Sequence, residues 1–315
     1  MGRAARIDLA NLVANPNQTL LVIGYGSLLS GYGLLAARRG GRSRLVAMDA
    51  EPAILLNARR GLAKPSSHGN YLAMDIEPCD PAAPISARVG LAQDRADGLG
   101  ALLLTFDRSA APLIARREEY SPEAFVRLVE LADRADLPLG EFLMKFARAA
   151  NFELLGYRRA LRDLLGYTSP GYVFHPVPLE DGRTAIIAIG SGYEGSGDPA
   201  VVSVRRQYGI DRLHNFASAL QIESLPLDRP GQVGYFAECL LGGMHGLAMG
   251  DLMDEFDPDA AWAAELAARV AEVAAHEEDH FMNATSLAPD RYRERFAARG
   301  RHPSLEPLLR LARVG

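Results

Sequence analysis

The hydrophobic pattern of the chain changes rhythm once. From Thr19 to about Val204, short apolar runs alternate with clusters of Gly, Pro and Asp. Leu20-Leu21-Val22-Ile23, Tyr71-Leu72-Ala73-Met74, Leu102-Leu103-Leu104 and Ala185-Ile186-Ile187-Ala188-Ile189 each have the length and content of a buried strand, with a few helix-like stretches between them. After about Arg205 these β signals fade. Trp262, Leu266, Val270 and Val273 fall at near-helical spacing, which predicts one amphipathic helix over 260–281. Asp257 and Pro258 are its start signals, and Asn283 and Pro289 its end signals. The expected organisation is an N-terminal arm (1–18), an α+β module (19–205) and a mainly helical C-terminal extension (206–315).

Composition narrows the class. The chain has 315 residues, 48% hydrophobic and 23% charged, which is ordinary globular content. Its net charge of −5 argues against nucleic acid or an anionic membrane surface as a partner. Lys64 and Lys145 are the only lysines, and 32 arginines supply the other basic charge. No apolar run approaches the roughly 20 residues that span a bilayer, and Met1 to Asn17 has no signal-peptide core. Cys79 and Cys239 are too far apart in sequence to form a metal motif and read as reduced thiols of a cytoplasmic protein. The pattern specifies no oligomeric state.

Three blocks carry candidate chemistry. In the first, the strand Leu20–Ile23 runs straight into Gly24-Tyr25-Gly26-Ser27-Leu28. Glycines there permit backbone angles that expose consecutive N–H groups, which suits an anion. Leu29 stands where a dinucleotide fingerprint needs its third glycine, and no Gly-Lys-Ser/Thr follows, so neither nucleotide motif is met. A strand-to-turn junction with no ligand fits this segment equally well. The second block is Arg116-Arg117-Glu118-Glu119-Tyr120. Such a run is ordinarily a solvated helix face, whereas a carboxylate in a half-apolar pocket can serve as general acid and base. The third, Ile189 to Asp198, follows a strand and is rich in Gly and Ser. It reads as a flexible loop or as a pocket wall with Tyr193 as a hydrogen-bonding lid.

Taken in order, these blocks resemble the γ-glutamylcyclotransferase superfamily. Tyr25-Gly26-Ser27-Leu28 resembles its Y-G-S-[LN] substrate loop, and Ile114-Ala115-Arg116-Arg117-Glu118 is similar to the segment that ends in its catalytic glutamate. Asn57-Ala58-Arg59-Arg60 and Tyr71–Met74 resemble its middle strands, and 187–198 its late strand and turn. The resemblance covers roughly residues 20–205. It implies a small closed or nearly closed β-barrel with packed helices. It also implies release of 5-oxoproline from a small γ-glutamyl compound, with Glu118 as acid and base, residues Tyr25 to Leu28 and Tyr193 binding substrate, and neither metal nor cofactor. Two positions depart from the family pattern. Ala115 replaces an aspartate before the catalytic segment, and Ser30-Gly31-Tyr32-Gly33 stands where the glutathione-specific branch carries Trp and Pro.

Two other readings have a residue basis. His276-Glu277-Glu278-Asp279-His280 matches H-E-x-x-H, the pattern of a zinc hydrolase with Glu277 as base. Its charged middle positions and the lack of a third nearby histidine favour an exposed helix end instead. Ala115 leaves open a protein that binds a γ-glutamyl ligand without turnover. His175 and Tyr172 are equally pocket-lining or edge-strand residues. The acidic group Asp251, Asp254, Glu255, Asp257 and Asp259 reads as a solvated turn, and Met244-His245-Gly246 carries no usable spacing.

Overall fold

A computed structural model describes residues 19–36, 45–65, 71–91, 97–118, 120–166, 172–190, 231–253, 262–296 and 303–314. The eight strands are β1 (Thr19–Gly24), β2 (Asp49–Leu56), β3 (Ala58–Pro65), β4 (Leu72–Pro78), β5 (Ser86–Val89), β6 (Leu99–Asp107), β7 (Tyr172–Pro178) and β8 (Thr184–Gly190). Eleven helices occur among the described residues. Before β7 lie α1 (Gly31–Ala36), α2 (Ala111–Arg117), α3 (Pro122–Arg134), α4 (Leu139–Ala149) and α5 (Leu154–Leu165). After 231 come α6 (Gln232–Leu240), α7 (Gly250–Met253), α8 (Ala263–Ala274), α9 (Glu277–Ala284), α10 (Pro289–Arg295) and α11 (Glu306–Val314).

Six strands form one mixed sheet in the order β5-β2-β6-β1-β8-β7. β1 lies near its middle, antiparallel to β6 (Ile23 opposite Leu103) and parallel to β8 (Ile23 opposite Ile187). Strands covered on both faces read as continuous apolar runs rather than as alternation. That is why Leu20–Ile23, Leu102–Leu104 and Ala185–Ile189 were legible as β1, β6 and β8.

The sheet curls into a half-barrel and does not close, which corrects the expectation of a closed or nearly closed barrel. β3 and β4 leave the ladder to form their own two-stranded hairpin. Among the described residues the two edges are joined by the bridge of Ala87 with Leu179, supported by Glu180 N–H to the Ala87 carbonyl (3.1 Å). β5 is only four residues long and offers too few backbone groups to continue that seam.

The helices after 231 belong to the same apolar core as the sheet, which runs without a break from Leu20 to Leu309. Backbone bonds reinforce the join: Ala47 N–H donates to the Ala284 carbonyl (3.0 Å) and Ser286 N–H to the Ala47 carbonyl (2.7 Å). The helix predicted over 260–281 is two helices, α8 and α9, with the break at Ala275-His276. α9 packs directly on α1. No helix among the described residues is long and apolar enough to cross a membrane. Residues 1–18, 191–230 and the 254–261 segment lie outside the described residues.

Two expectations follow from this packing. A Cβ at Gly31 would overlap the backbone of Phe281 and His280. Backbone cannot give way as a side chain can, so Gly31→Ala should lower the unfolding free energy by about 3 kcal/mol. The measurement is a reduced urea midpoint with an unchanged slope. His175, on edge strand β7, is buried against the Tyr157 ring (4.8 Å) rather than facing a pocket, and burial pushes its imidazole pKa down to about 4. The unfolded chain, with its histidine near 6.5, therefore binds the extra proton first. Stability should be complete above about pH 6.5 and fall by about 3 kcal/mol as the pH approaches 4. His175→Gln should remove that part of the slope in urea titrations run across this range.

Candidate functional site

Burial of β1 carries the chain into the interior, and the turn that follows must find its polar partners there. Tyr25 is buried, and its hydroxyl donates to the Ala188 carbonyl on β8 (2.6 Å). Its own carbonyl accepts from Arg60 Nη1 (3.0 Å). Arg60, on β3, is buried too. It also donates to the Gly100 carbonyl (2.8 Å) and pairs with Asp251 through Nε (2.7 Å) and Nη2 (2.9 Å). Asp251, expected in a solvated turn, is therefore the counter-charge that lets this arginine be buried.

Ser27 to Leu29 form a single 3-10 turn, closed by Leu29 N–H to the Gly26 carbonyl (2.9 Å). Gly26 lies between Met74 and the Tyr235 hydroxyl, where a Cβ would be 3.1 Å from the Met74 Cβ. Among the described residues no hydrogen bond engages the backbone N–H of Gly26, Ser27 or Leu28. These three successive N–H groups lie beside a tight turn, with no partner among the described residues.

α2 delivers the second block to this loop. It ends at Arg117, and Glu118 is its C-cap, donating its N–H to the Ile114 carbonyl (3.0 Å). Arg116 is exposed, as on a solvated helix face, but the next two side chains turn inward, with only 12% and 13% of the Arg117 and Glu118 side chains accessible. Arg117 Nη2 donates to Ser27 Oγ (2.8 Å) and Nη1 to the Gly33 carbonyl (3.0 Å), while Nε lies 3.5 Å from Glu118 Oε1. Ala115 is fully buried in the core. Glu119 and Tyr193 lie outside the described residues.

Asp75 on β4 was not identified from the sequence. Its side chain is fully buried, and Oδ1 accepts from Ile76 N–H (2.9 Å) and from Gly190 N–H at the end of β8 (2.6 Å). A Cβ at Gly190 would overlap this carboxylate. The one available signal was an acid directly after the apolar run Leu72-Ala73-Met74. Burial holds the Tyr25 phenol pKa well above its ordinary value, and the negative charges of Asp75 and Glu118 raise it further. α6 closes the corner. Met74 N–H donates to the Tyr235 hydroxyl oxygen (2.8 Å), and burial pushes the Cys239 thiol up to about 12, so it is not a nucleophile at neutral pH. Tyr25, Ser27, Arg117, Glu118, Asp75 and Tyr235 thus converge where β1, β4, β8, α2 and α6 meet.

The H-E-x-x-H residues are arranged differently. His276 is the N-cap of α9, outside its regular turns, and the His276 and His280 rings are 6.2 Å apart. Glu277 points away from solvent, 1% exposed at its side chain. It accepts from Gly31 N–H and Tyr32 N–H (3.2 Å) at the start of α1, and lies 3.0 Å from His245 Nε2. His245 Nδ1 is in turn 3.0 Å from the Tyr292 hydroxyl. Among the described residues no group of three His, Cys, Asp or Glu side chains is arranged to hold a metal ion. His245, which had no usable spacing in the sequence, is the centre of this buried Glu-His-Tyr chain.

Removing Glu277 would strand two backbone N–H groups and an imidazole nitrogen in the interior. Glu277→Ala should therefore cost about 3 kcal/mol of stability. Thermal unfolding of wild type and variant, each with and without chelator, checks this: the variant melts earlier, and chelator moves neither curve. No protein-family model, curated protein or solved structure matches this chain.

Proposed function

We propose that the chain is a cyclotransferase that releases 5-oxoproline and a free amine or peptide from a small γ-glutamyl compound. One adjacency supports this reading above the rest. Arg117 hydrogen-bonds Ser27 Oγ at 2.8 Å and sits 3.5 Å from the Glu118 carboxylate, so a part-buried acid lies one side chain away from a loop with unused N–H donors.

The chemistry needs those two features. The α-amine of a γ-glutamyl group is mostly protonated at neutral pH, so Glu118 takes a proton from it. The freed nitrogen attacks the γ-carbonyl carbon and closes a five-membered ring. Holding the glutamyl chain folded makes this a well-oriented unimolecular step. Negative charge gathers on the carbonyl oxygen, and N–H groups of Gly26 to Leu28 are suited to receive it or the substrate carboxylate. Glu118 then returns its proton to the leaving nitrogen as the amide C–N bond breaks. The second proton lost by the ring nitrogen is taken up by the released amine. No cofactor is used.

The test is a panel of γ-glutamyl dipeptides, glutathione and γ-glutamylamines, with 5-oxoproline followed by mass spectrometry. Wild type should release it from at least one compound. Glu118→Gln should lose at least about 100-fold in rate with an unchanged circular dichroism spectrum, and Glu119→Gln should stay within a few-fold. Wild-type turnover in Glu118→Gln would overturn the reading, and the opposite ranking of the two variants would move the catalytic role to Glu119. Ligand-induced thermal stabilisation without product would mark a binding protein instead.

A further inference from the structure

Arg117 has three jobs to do with one planar fork, and only two of them are hydrogen bonds. Its two terminal nitrogens are committed to Ser27 Oγ and the Gly33 carbonyl, one before and one within α1. Its Nε is buried with no hydrogen-bond partner among the described residues, although Glu118 Oε1 is 3.5 Å away. A buried guanidinium N–H left unmatched is costly, and the carboxylate 3.5 Å from it is the one assigned the proton transfers.

We propose that Arg117 is a positioning residue that ties the Tyr25–Leu28 loop to the Glu118 carboxylate and keeps that carboxylate ionised, ready to accept the substrate proton. The inference takes the proton-transfer role of Glu118 from the proposed function, but its geometry does not depend on that role. A cation at this distance favours the charged form of a carboxylate. The fork geometry adds a constraint a point charge lacks, because one rigid plane spans the loop and the acid together. Movement of the loop is thereby transmitted to the atom that takes the proton.

Other charged and titratable groups surround the same corner. Tyr25 at the end of β1 and Asp75 on β4 are coupled to it, the phenol feeling both carboxylates. From α6, Tyr235, Glu238 and Cys239 face it, and the Cys239 thiol feels the positive charges of Arg60 and Arg117. Arg117 Nε lies 3.5 Å from Glu118 Oε1, and Arg60, which holds the Tyr25 carbonyl, is already matched to Asp251.

The experiment is a set of pH profiles for wild type, Arg117→Gln and Arg117→Lys, with Arg117→Met as a second neutral variant if glutamine leaves the fold unstable. Each is checked by circular dichroism and urea midpoint. The neutral variants should move the acid limb of kcat/KM up by about one pH unit. Arg117→Lys should leave the limb in place and raise KM several-fold, since an ammonium keeps the charge and cannot span both partners. A merely structural arginine would lower stability and leave the limb where it is, which overturns the inference. A carbon-13 titration of the glutamate carboxyls, with Glu118 assigned by its loss in Glu118→Gln, reads the same quantity without turnover. If wild type releases no 5-oxoproline, the cyclotransferase reading falls, and this titration decides by itself. A Glu118 midpoint displaced upward in the neutral variants supports the inference, and an unmoved one overturns it.

Discussion

A chain reversal buried inside a protein leaves carbonyls and N–H groups that must find partners there, and the segment from Tyr25 to Gly33 is such a reversal. Three charged side chains meet this demand. Arg60 takes the Tyr25 carbonyl, Arg117 takes Ser27 Oγ and the Gly33 carbonyl, and Glu277 takes the Gly31 and Tyr32 N–H groups. Each charge is buried and therefore needs its own counterpart. Asp251 lies against Arg60, Glu118 against Arg117 and His245 against Glu277. The second partner in each pair comes from a part of the chain remote from the loop. One local requirement thus recruits β3, α2, α7, α9 and the turn containing His245 around a single point, and the N–H groups of Gly26 to Leu28 are left without a partner among the described residues.

The C-terminal helices are part of this arrangement rather than an appendage to it. Glu277 is the first residue of α9 and closes the N-terminus of α1, the helix that begins one residue after the 3-10 turn. A negative charge at that end also suits the helix dipole. Gly31 must be glycine because the backbone of α9 passes where its Cβ would be. The contact is therefore backbone against backbone, clamped by a carboxylate, and it sets where α1 starts. Glu277 faces α1 from the first turn of α9, and Leu266 and Val270 of α8 are buried in the core. The Glu of an H-E-x-x-H pattern here has its acceptor oxygens occupied by N–H donors.

Legibility in the sequence followed the range of the interactions. β1, β6 and β8 were plain because a strand covered on both faces is apolar throughout. Glu118 was separable from Glu119 only through its registration with the family segment, since the two acids are adjacent and no local spacing distinguishes them. Open curling of the sheet was not legible, because it depends on β3 and β4 pairing with each other and on which edges meet, both long-range properties. Asp75, Arg60 and His245 were missed for the same reason. Their roles are set by Gly190, Asp251 and Glu277, at separations of 115, 191 and 32 residues, and no local spacing encodes such pairings.

Tyr25 shows how this packing divides the labour of the proposed reaction. Its phenol is held neutral by burial and by the two carboxylates near it. Its proton is committed to the Ala188 carbonyl, so the hydroxyl has lone pairs to offer and no proton. It cannot act as the acid that frees the leaving amine, nor stabilise an oxyanion by donation. It can accept from an ammonium. The corner therefore has two chemical ends. One presents N–H donors, from Gly26 to Leu28, toward negative charge. In the proposed reaction the other end is the Glu118 carboxylate, with the lone pairs of the buried Tyr25 hydroxyl behind it. A γ-glutamyl group carries both charges on one carbon, and a site polarised in this way orients that carbon before any proton moves. In the proposed reaction the returning proton therefore comes from Glu118, since the Tyr25 hydroxyl has given its own to the Ala188 carbonyl.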